Sequence, residues 1–363
     1  MSALGDVMLR YRGASVGYRD VAVVRDADLE VHAGEIVGLV GPNGAGKSTM
    51  LRAVTADSSL LAGTLELDGR PLAGLSVRER AAIVGVVPQT VTAAFAVPAA
   101  EFVEMGRNPH LPRFSRLTDH DRDAVAAAMR RTDTLSLAEK PVDALSGGDL
   151  QRLALAQARA AEPRVLLLDE PTSHLDLNHR LQVLDLVREL ANKGMGVLAV
   201  FHDLDLAARY ADRIAVVARG TVGDADAPER VITADMLRSV FGVRAVVGAD
   251  PVTGSVTVTP VLRDGAVSEI RRGTVFVVGG SGCAAPLMRR LVLGGWTVTA
   301  GALNAGDADA VLADALGLDY PLVPPFAPMD AASAIEAARL ADAADAVVIC
   351  DVPFGRGNVD NLL

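Results

Sequence analysis

The sequence predicts an α/β fold, and three observations carry that prediction. From residue 1 to about 240, short Val/Ile/Leu runs alternate with longer helical patterns, as in a largely parallel sheet covered by helices. Within that part, the apolar run EIVGLV at Glu35 to Val40 leads through GPNGAGKS into the helix former-rich TMLRAVTA, a strand, a glycine loop and a helix in succession. The same strand–glycine–helix order starts again at GTVFVVGGSGCAAPLMRRLV, from Gly273, and marks a second, smaller α/β unit over residues 272–363.

Composition sets the bounds on this reading. A chain of 363 residues, 50% hydrophobic and 22% charged, is long enough for two domains with buried cores. Its formal charge of -10 argues against a sequence-independent nucleic-acid binder, which needs a basic footprint to displace counterions. Cys283 and Cys350 are the only cysteines, so no disulfide framework holds the fold and a reducing interior is the natural setting. The N-terminus, MSALGDVMLRYRGASVGYRD, lacks an apolar stretch before a small-residue cleavage site, so export is not expected. The apolar runs around Val37, Val165 and Val275 are strand-length, well short of the roughly 18 to 20 residues of a spanning helix.

Taken in order, the first domain is expected over residues 1–242. Residues 243–271 follow as a linker, in which VRAVVGADPVTGSVTVTPVLR reads as a hairpin turning at Pro251 to Gly254 and closing the first domain. The final unit, 272–363, ends at DVPFGRGNVDNLL without a closing helix, as a truncated chain would.

The glycine loop reads as an anion site. Gly41, Pro42, Asn43, Gly44, Ala45, Gly46, Lys47, Ser48 and Thr49 join a strand's carboxyl end to a helix's start, where backbone N–H groups are unpaired and the helix dipole favours negative charge. The match to G-x-x-x-x-G-K-[ST] is complete: Lys47 is placed for the β and γ phosphates, and Ser48 for Mg²⁺. Among the chain's 35 basic residues only Lys47, Lys140 and Lys193 are lysines, and a compact ammonium suits a tight loop better than a planar guanidinium.

Two later strands supply candidate chemistry. RVLLLDEPTSHLDL, from Arg164, ends its apolar run in Asp169, predicted to reach the Mg²⁺ shell, and Glu170, predicted to reach the attacking water. GVLAVFHD ends in His202, a candidate hydrogen-bonding group that positions the water and Glu170. His174 and His179 stand five apart without a cysteine partner, so a zinc site is not indicated.

LSGGDLQRLALAQARA then presents Ser146, Gly147 and Gly148 at the start of an amphipathic helix, a second phosphate-binding end in one chain. With Gln89 after VGVVP, the LLLDEP strand, the SHLD turn and His202 in the same order, residues 1 to about 240 resemble the ATP-binding cassette (ABC) family. The resemblance implies a P-loop NTPase domain with a helical subdomain, an ATPase using ATP and Mg²⁺, beside the small C-terminal Rossmann-like α/β domain. It also implies a head-to-tail homodimer in which ATP lies between the P-loop of one copy and the Ser146–Gly148 signature of the other. Tyr18 would then stack on adenine, Gln89 would touch Mg²⁺ or water and relay to a membrane partner, and Asp176 would shape the dimer seam. One departure is Asp149, where many members carry another residue after the glycines; an acid still suits a first helical turn.

With one cassette and no fused spanning helix, the chain resembles the separate ATPase subunits of importers. EMGRNPHLPRF, SHLDLNHRLQVLDLVREL and FHDLDLAARYADRIAVVARG are similar to importers of metal chelates, namely cobalamin, ferric siderophores and haem. The extra C-terminal domain points to the cobalamin members. Such a subunit would sit peripherally on the cytoplasmic side of the cell membrane, with two permease subunits, indirect contact with a substrate-binding protein and no nucleic acid. Phe95, Phe102 and Phe114 in residues 92–116 would suit docking to a permease helix. A soluble cassette ATPase without a transport role is the alternative, although neither a second cassette nor a coiled-coil insertion is present. In the last unit, Gly280, Gly282 and Ala285 match G-x-G-x-x-A, which hints at a dinucleotide; tight packing of helix on strand explains these residues as well.

Overall fold

Two long strands, β1 (Val7–Tyr18) and β2 (Val21–His32), open the first unit. The structure is a computed structural model describing residues 5–91, 96–112, 115–173, 175–263, 268, 270–325 and 327–352. Contacts divide the chain into two units, Met1–Val231 and Ile232–Leu363.

In the first unit, β3 (Ile36–Val40) leads into α1 (Lys47–Thr55), followed by β4 (Ser59–Leu67), β5 (Arg70–Pro71), α2 (Val77–Ile83) and β6 (Val84–Val87). Helices α3 (Ala99–Glu104), α4 (Asp119–Arg131) and α5 (Gly147–Ala160) come next. Then β7 (Val165–Asp169), α6 (Leu177–Asn192), β8 (Gly196–Val200), α7 (Leu204–Tyr210), β9 (Arg213–Ala218), β10 (Thr221–Val222) and α8 (Pro228–Val231) complete the unit.

These elements form two sheets and a helical layer. β1, β2, β4 and β5 make an antiparallel sheet in the order β2-β1-β4-β5. The other sheet runs β10-β9-β3-β8-β7-β6, parallel except at β10. Every residue of β3, β7 and β8 is buried, which explains why these strands read as unbroken apolar runs rather than alternating ones. Leu9, Tyr11 and Leu67 of the antiparallel sheet pack with Leu39, Leu198 and Met50 into one core, and the buried Tyr11 hydroxyl donates to the Met50 carbonyl at 2.9 Å. The helical layer has its own core, where Val103, Met129 and Leu153 join α3, α4 and α5. Phe102 packs against that core, whereas Phe95, Phe114 and His174 lie outside the described residues.

The second unit starts with α9 (Ala234–Phe241) and the antiparallel pair β11 (Val243–Ala249) and β12 (Val256–Arg263). The expected hairpin forms, but it packs away from its expected place: Val246, Val261 and Leu262 lie against Leu312 and Leu316 of the second unit. Alternation determines which face of a hairpin is buried, not which neighbour buries it. Downstream come β13 (Thr274–Val278), α10 (Ala285–Leu293), β14 (Thr297–Ala300), β15 (Leu303–Asn304), α11 (Ala308–Leu316), β16 (Leu322–Val323), α12 (Ala331–Asp342) and β17 (Ala346–Ile349). Strands β14, β13 and β17 are parallel neighbours in that order. Val275 and Val277 face Met288 of α10 and Ala313 of α11, while the alternate residues Phe276 and Val278 face Ala337 and Leu340 of α12. Both sheet faces are covered, as a parallel sheet requires. Among the described residues no helix is long and apolar enough to cross a membrane.

Candidate functional site

Strand order places four loops side by side, because β3, β8, β7 and β6 are successive neighbours whose carboxyl ends share one edge of the sheet. β3 runs into the Gly41–Gly46 loop, β8 into His202, β7 into Glu170 and β6 into Gln89. A cavity of about 290 Å³ lies there, lined by residues 43–49 with Gln89, Glu170 and His202. Residues as far apart in sequence as Asn43 and His202 thus meet because parallel strands return to the same edge.

The loop's glycines are required by geometry at two points. Gly41 has φ 148° and a Cβ there would stand 2.0 Å from the Val217 carbonyl oxygen; Gly46 has φ 109° and a Cβ would meet Val24 at 2.4 Å. The second also ends the loop as the N-cap of α1, which has no side-chain cap. By contrast α2, α4, α5, α6 and α7 are each capped by their own Ser, Thr or Asp. The first-turn N–H groups of α1 are therefore left for an external acceptor, and an anion satisfies them. Lys47, buried at 5% exposure, donates from Nζ to the Gly41 and Pro42 carbonyls at 2.7 and 2.9 Å. Burial pulls its ammonium below the usual lysine range, against the opposing charges of Glu170 and Asp169.

The acidic side of the cavity is equally ordered. Ser48 donates from Oγ to Asp169 Oδ1 at 2.7 Å, a hydroxyl and a carboxylate brought together at one point. Hard oxygen donors of this kind suit Mg²⁺, which takes one or two protein ligands and completes its octahedron with phosphate oxygens and water. Glu170 is buried and has φ 54°, a left-handed backbone that turns the chain sharply after β7. Gln89 Nε2 and Ser173 Oγ both donate to its Oε2, at 2.5 and 3.2 Å, while His202 Nε2 meets its Oε1. Three side chains thus hold one carboxylate. Ser173 escaped the reading of the sequence, although its spacing of three from Glu170 in a DEPTS turn is the signal that could have shown it.

The remaining expected residues lie elsewhere on the unit. Ser146 and Gly147 are exposed and Gly148 is buried at the start of α5, and none of them lines the cavity at Lys47. Ser146 accepts from the Asp149 N–H at 3.2 Å and donates to its carboxylate at 2.7 Å. Burial would raise the Asp149 carboxyl, but the Ser146 hydroxyl and the Arg152 guanidinium outweigh it and hold it below its usual value. Asp176 caps α6 through the His179 N–H at 2.9 Å. Tyr18 is 39% exposed at the end of β1, and its hydroxyl accepts from Arg52 at 3.2 Å.

The family model described as ABC transporter matches residues 24–173. A cobalamin import ATP-binding protein, BtuD of Halobacterium salinarum, is 42% identical over 97% of this chain and 88% of its own length. The chain belongs to the ATP-binding cassette transporter family. A hemin import ATP-binding protein, HmuV of Nocardia farcinica, is 45% identical over 71% of this chain and 91% of its own length. A cassette solved as a dimer bound to ADP and phosphate is 25% identical, with a TM-score of 0.54 over 61% of this chain and 99% of that one. This ABC protein is an ATPase, the nucleotide-hydrolysing subunit of an import system. A further model, described as the MJ0874 family, matches residues 298–363.

The second glycine loop of this ABC protein is built differently from the first. Asp309, fully buried, accepts from the N–H groups of Gly280, Ala284 and Ala285 at 2.6 to 3.2 Å. Asp307 accepts from Ser281 and Gly282 at 2.6 and 3.1 Å. The chain's own carboxylates thus fill the positions that a dinucleotide's phosphates would take. A Cβ at Gly279 would stand 2.3 Å from that of Ala284, so close packing accounts for glycine there.

Proposed function

We propose that this subunit energises uptake of a metal chelate, cobalamin first among them, by hydrolysing Mg·ATP between two copies of the chain. The observation that carries the cobalamin reading is the extent of similarity. The cobalamin relative matches 97% of the chain, and so reaches through the second unit, whereas the haem relative matches 71%. Haem is the second reading, favoured by the slightly higher identity of 45% within that shorter span.

Bound Mg·ATP supplies the phosphoryl group and a cation that neutralises its charge. In this reading Lys47 exchanges its two carbonyl partners for phosphate oxygens, and residues 41–49 wrap the phosphates with backbone N–H groups. Ser48 and Asp169 hold Mg²⁺, with Gln89 beside them. Glu170 accepts a proton from the attacking water; Gln89 and Ser173 hold one of its oxygens and His202 the other, so the carboxylate needs no rearrangement before reaction. The second copy contributes Ser146, Gly147 and Gly148 to the γ-phosphate, Asp176 lies at the seam, and Tyr18 stacks on the adenine. The pair works from the cytoplasmic side of the membrane on two permease subunits, served by a substrate-binding protein, and nucleic acid has no part.

Uptake assays separate the readings. Cells lacking this chain are expected to lose accumulation of labelled cobalamin while keeping haem uptake; the reverse pattern assigns haem, and loss of neither assigns the third chelate class, a ferric siderophore, to be checked with labelled iron. The Lys47→Ala chain returned to those cells is expected to restore nothing.

A further inference from the structure

His179 stands outside every role assigned so far, yet it touches two of the segments a second copy's nucleotide would meet. Its Nδ1 lies 2.9 and 2.8 Å from the two carboxylate oxygens of Asp176, and its own N–H donates to the same carboxylate. A carboxylate only accepts, so the proton sits on Nδ1 and the ring is held in one orientation. The ring's other side rests on Gly148. A Cβ at that glycine would lie 2.7 Å from His179 Cδ2, 2.9 Å from Cγ and 3.1 Å from Nε2, the first two closer than real Cβ atoms come to other atoms.

The contact joins two helix starts. Asp176 is the N-cap of α6, and Gly148 is in the first turn of α5, the turn that the proposed function sets against the γ-phosphate. Elsewhere between these helices, Arg152 reaches Gln182 only at 3.4 Å. A shift of either start is therefore transmitted to the other through the imidazole, which is anchored by hydrogen bonds at one edge and packed on backbone at the other.

We propose that His179 is a positioning residue that couples the Asp176 turn to the Gly147–Gly148 turn, so that both close on a second copy's nucleotide as one piece. The inference rests on the proposed shared ATP site. Its role is in assembling that site, not in binding ATP within one copy, where the loop at Lys47 is untouched.

Four variants of the full chain test it, each assayed for binding of a fluorescent ATP analogue at low protein concentration and for steady-state hydrolysis. His179→Ala is expected to bind the analogue normally and to lose at least about tenfold in kcat, since small misplacements of positioning groups have effects of that size or larger. His179→Phe, which keeps a ring over Gly148 without the Nδ1 donor, is expected to recover part of the loss. Gly148→Ala forces a methyl into the ring and is expected to be worse than His179→Ala. The double variant Gly148→Ala/His179→Ala is expected to exceed Gly148→Ala alone, because the space is vacated. A kcat unchanged in His179→Ala, or a double variant no better than Gly148→Ala, overturns the coupling. Ser146→Glu distinguishes the parent reading: if that variant hydrolyses ATP at the normal rate, the shared site itself is wrong, whereas an inactive Ser146→Glu with a fully active His179→Ala condemns only the role of His179.

Discussion

At the scale of single residues, the two glycine loops of this chain show what makes an anion site open. Both follow a parallel strand and precede a helix, and α1 and α10 alike lack a side-chain cap of their own. The difference lies in what faces the N–H groups. Asp309 and Asp307 already satisfy the second loop, whereas around the first the nearest carboxylates, Asp169 and Glu170, are engaged by Ser48, Gln89, Ser173 and His202. The held Glu170 suggests its own test. Glu170→Gln keeps the shape and a hydrogen-bonding end but removes the carboxylate proposed to accept the proton. It is expected to cut steady-state phosphate release by at least about a hundredfold while ATP affinity is retained. Normal release by that variant would move the base to another residue.

At the scale of elements, α4 shows how one carboxylate can set a helix start and a buried ion pair together. Asp121 is the N3 residue of a capping box with Thr118 and also takes the Nε–H of the buried Arg107 at 2.8 Å. The Thr118 hydroxyl and N–H, joined by Arg107 and opposed by burial, pull the Asp121 carboxyl down to about 2 from 3.8. A depressed folded value means that its stabilisation is complete above the unfolded value and is lost as pH falls through about 2. Asp121→Asn is therefore expected to destabilise the first unit by about 2 kcal/mol at neutral pH, with Glu162 still pairing Arg107. The gap between the two proteins in urea melts should narrow between pH 4 and 2; a gap constant over that range would assign the loss to packing. Elements and site were legible to different depths for the same kind of reason. β3 and β8 are apolar or glycine throughout and β7 carries four apolar residues before Asp169, because both faces are covered, and their ends at Gly41, Asp169 and His202 could be read from sequence alone. The hairpin's partner could not, since alternation carries no address. Nor could the contact of His179 with Gly148, made across thirty-one positions by two helix starts, or the plugging of the second loop by Asp309 from another helix.

At the scale of the whole molecule, the cavity at Lys47 and the turn at Ser146 belong to one unit, yet the turn does not line the cavity. On the proposed reading the two ends serve one nucleotide between chains, and a two-fold pair then contains two such sites, each built from both copies. Complementation follows from that symmetry. Lys47→Ala removes the ammonium and Ser146→Glu sets a carboxylate against phosphate, so each variant alone is expected to be nearly inert. In a mixed pair, one site combines the intact loop of the Ser146→Glu chain with the intact turn of the Lys47→Ala chain, and the other site combines both defects. Random pairing makes half of the dimers mixed with one of two sites whole, so an equimolar mixture should regain about a quarter of normal hydrolysis if sites act independently, and less if they must fire together. A mixture that stays as inert as its parents, with exchange of subunits verified by two labels on the chains, would mean that each loop works with its own chain's turn after a rearrangement within the unit.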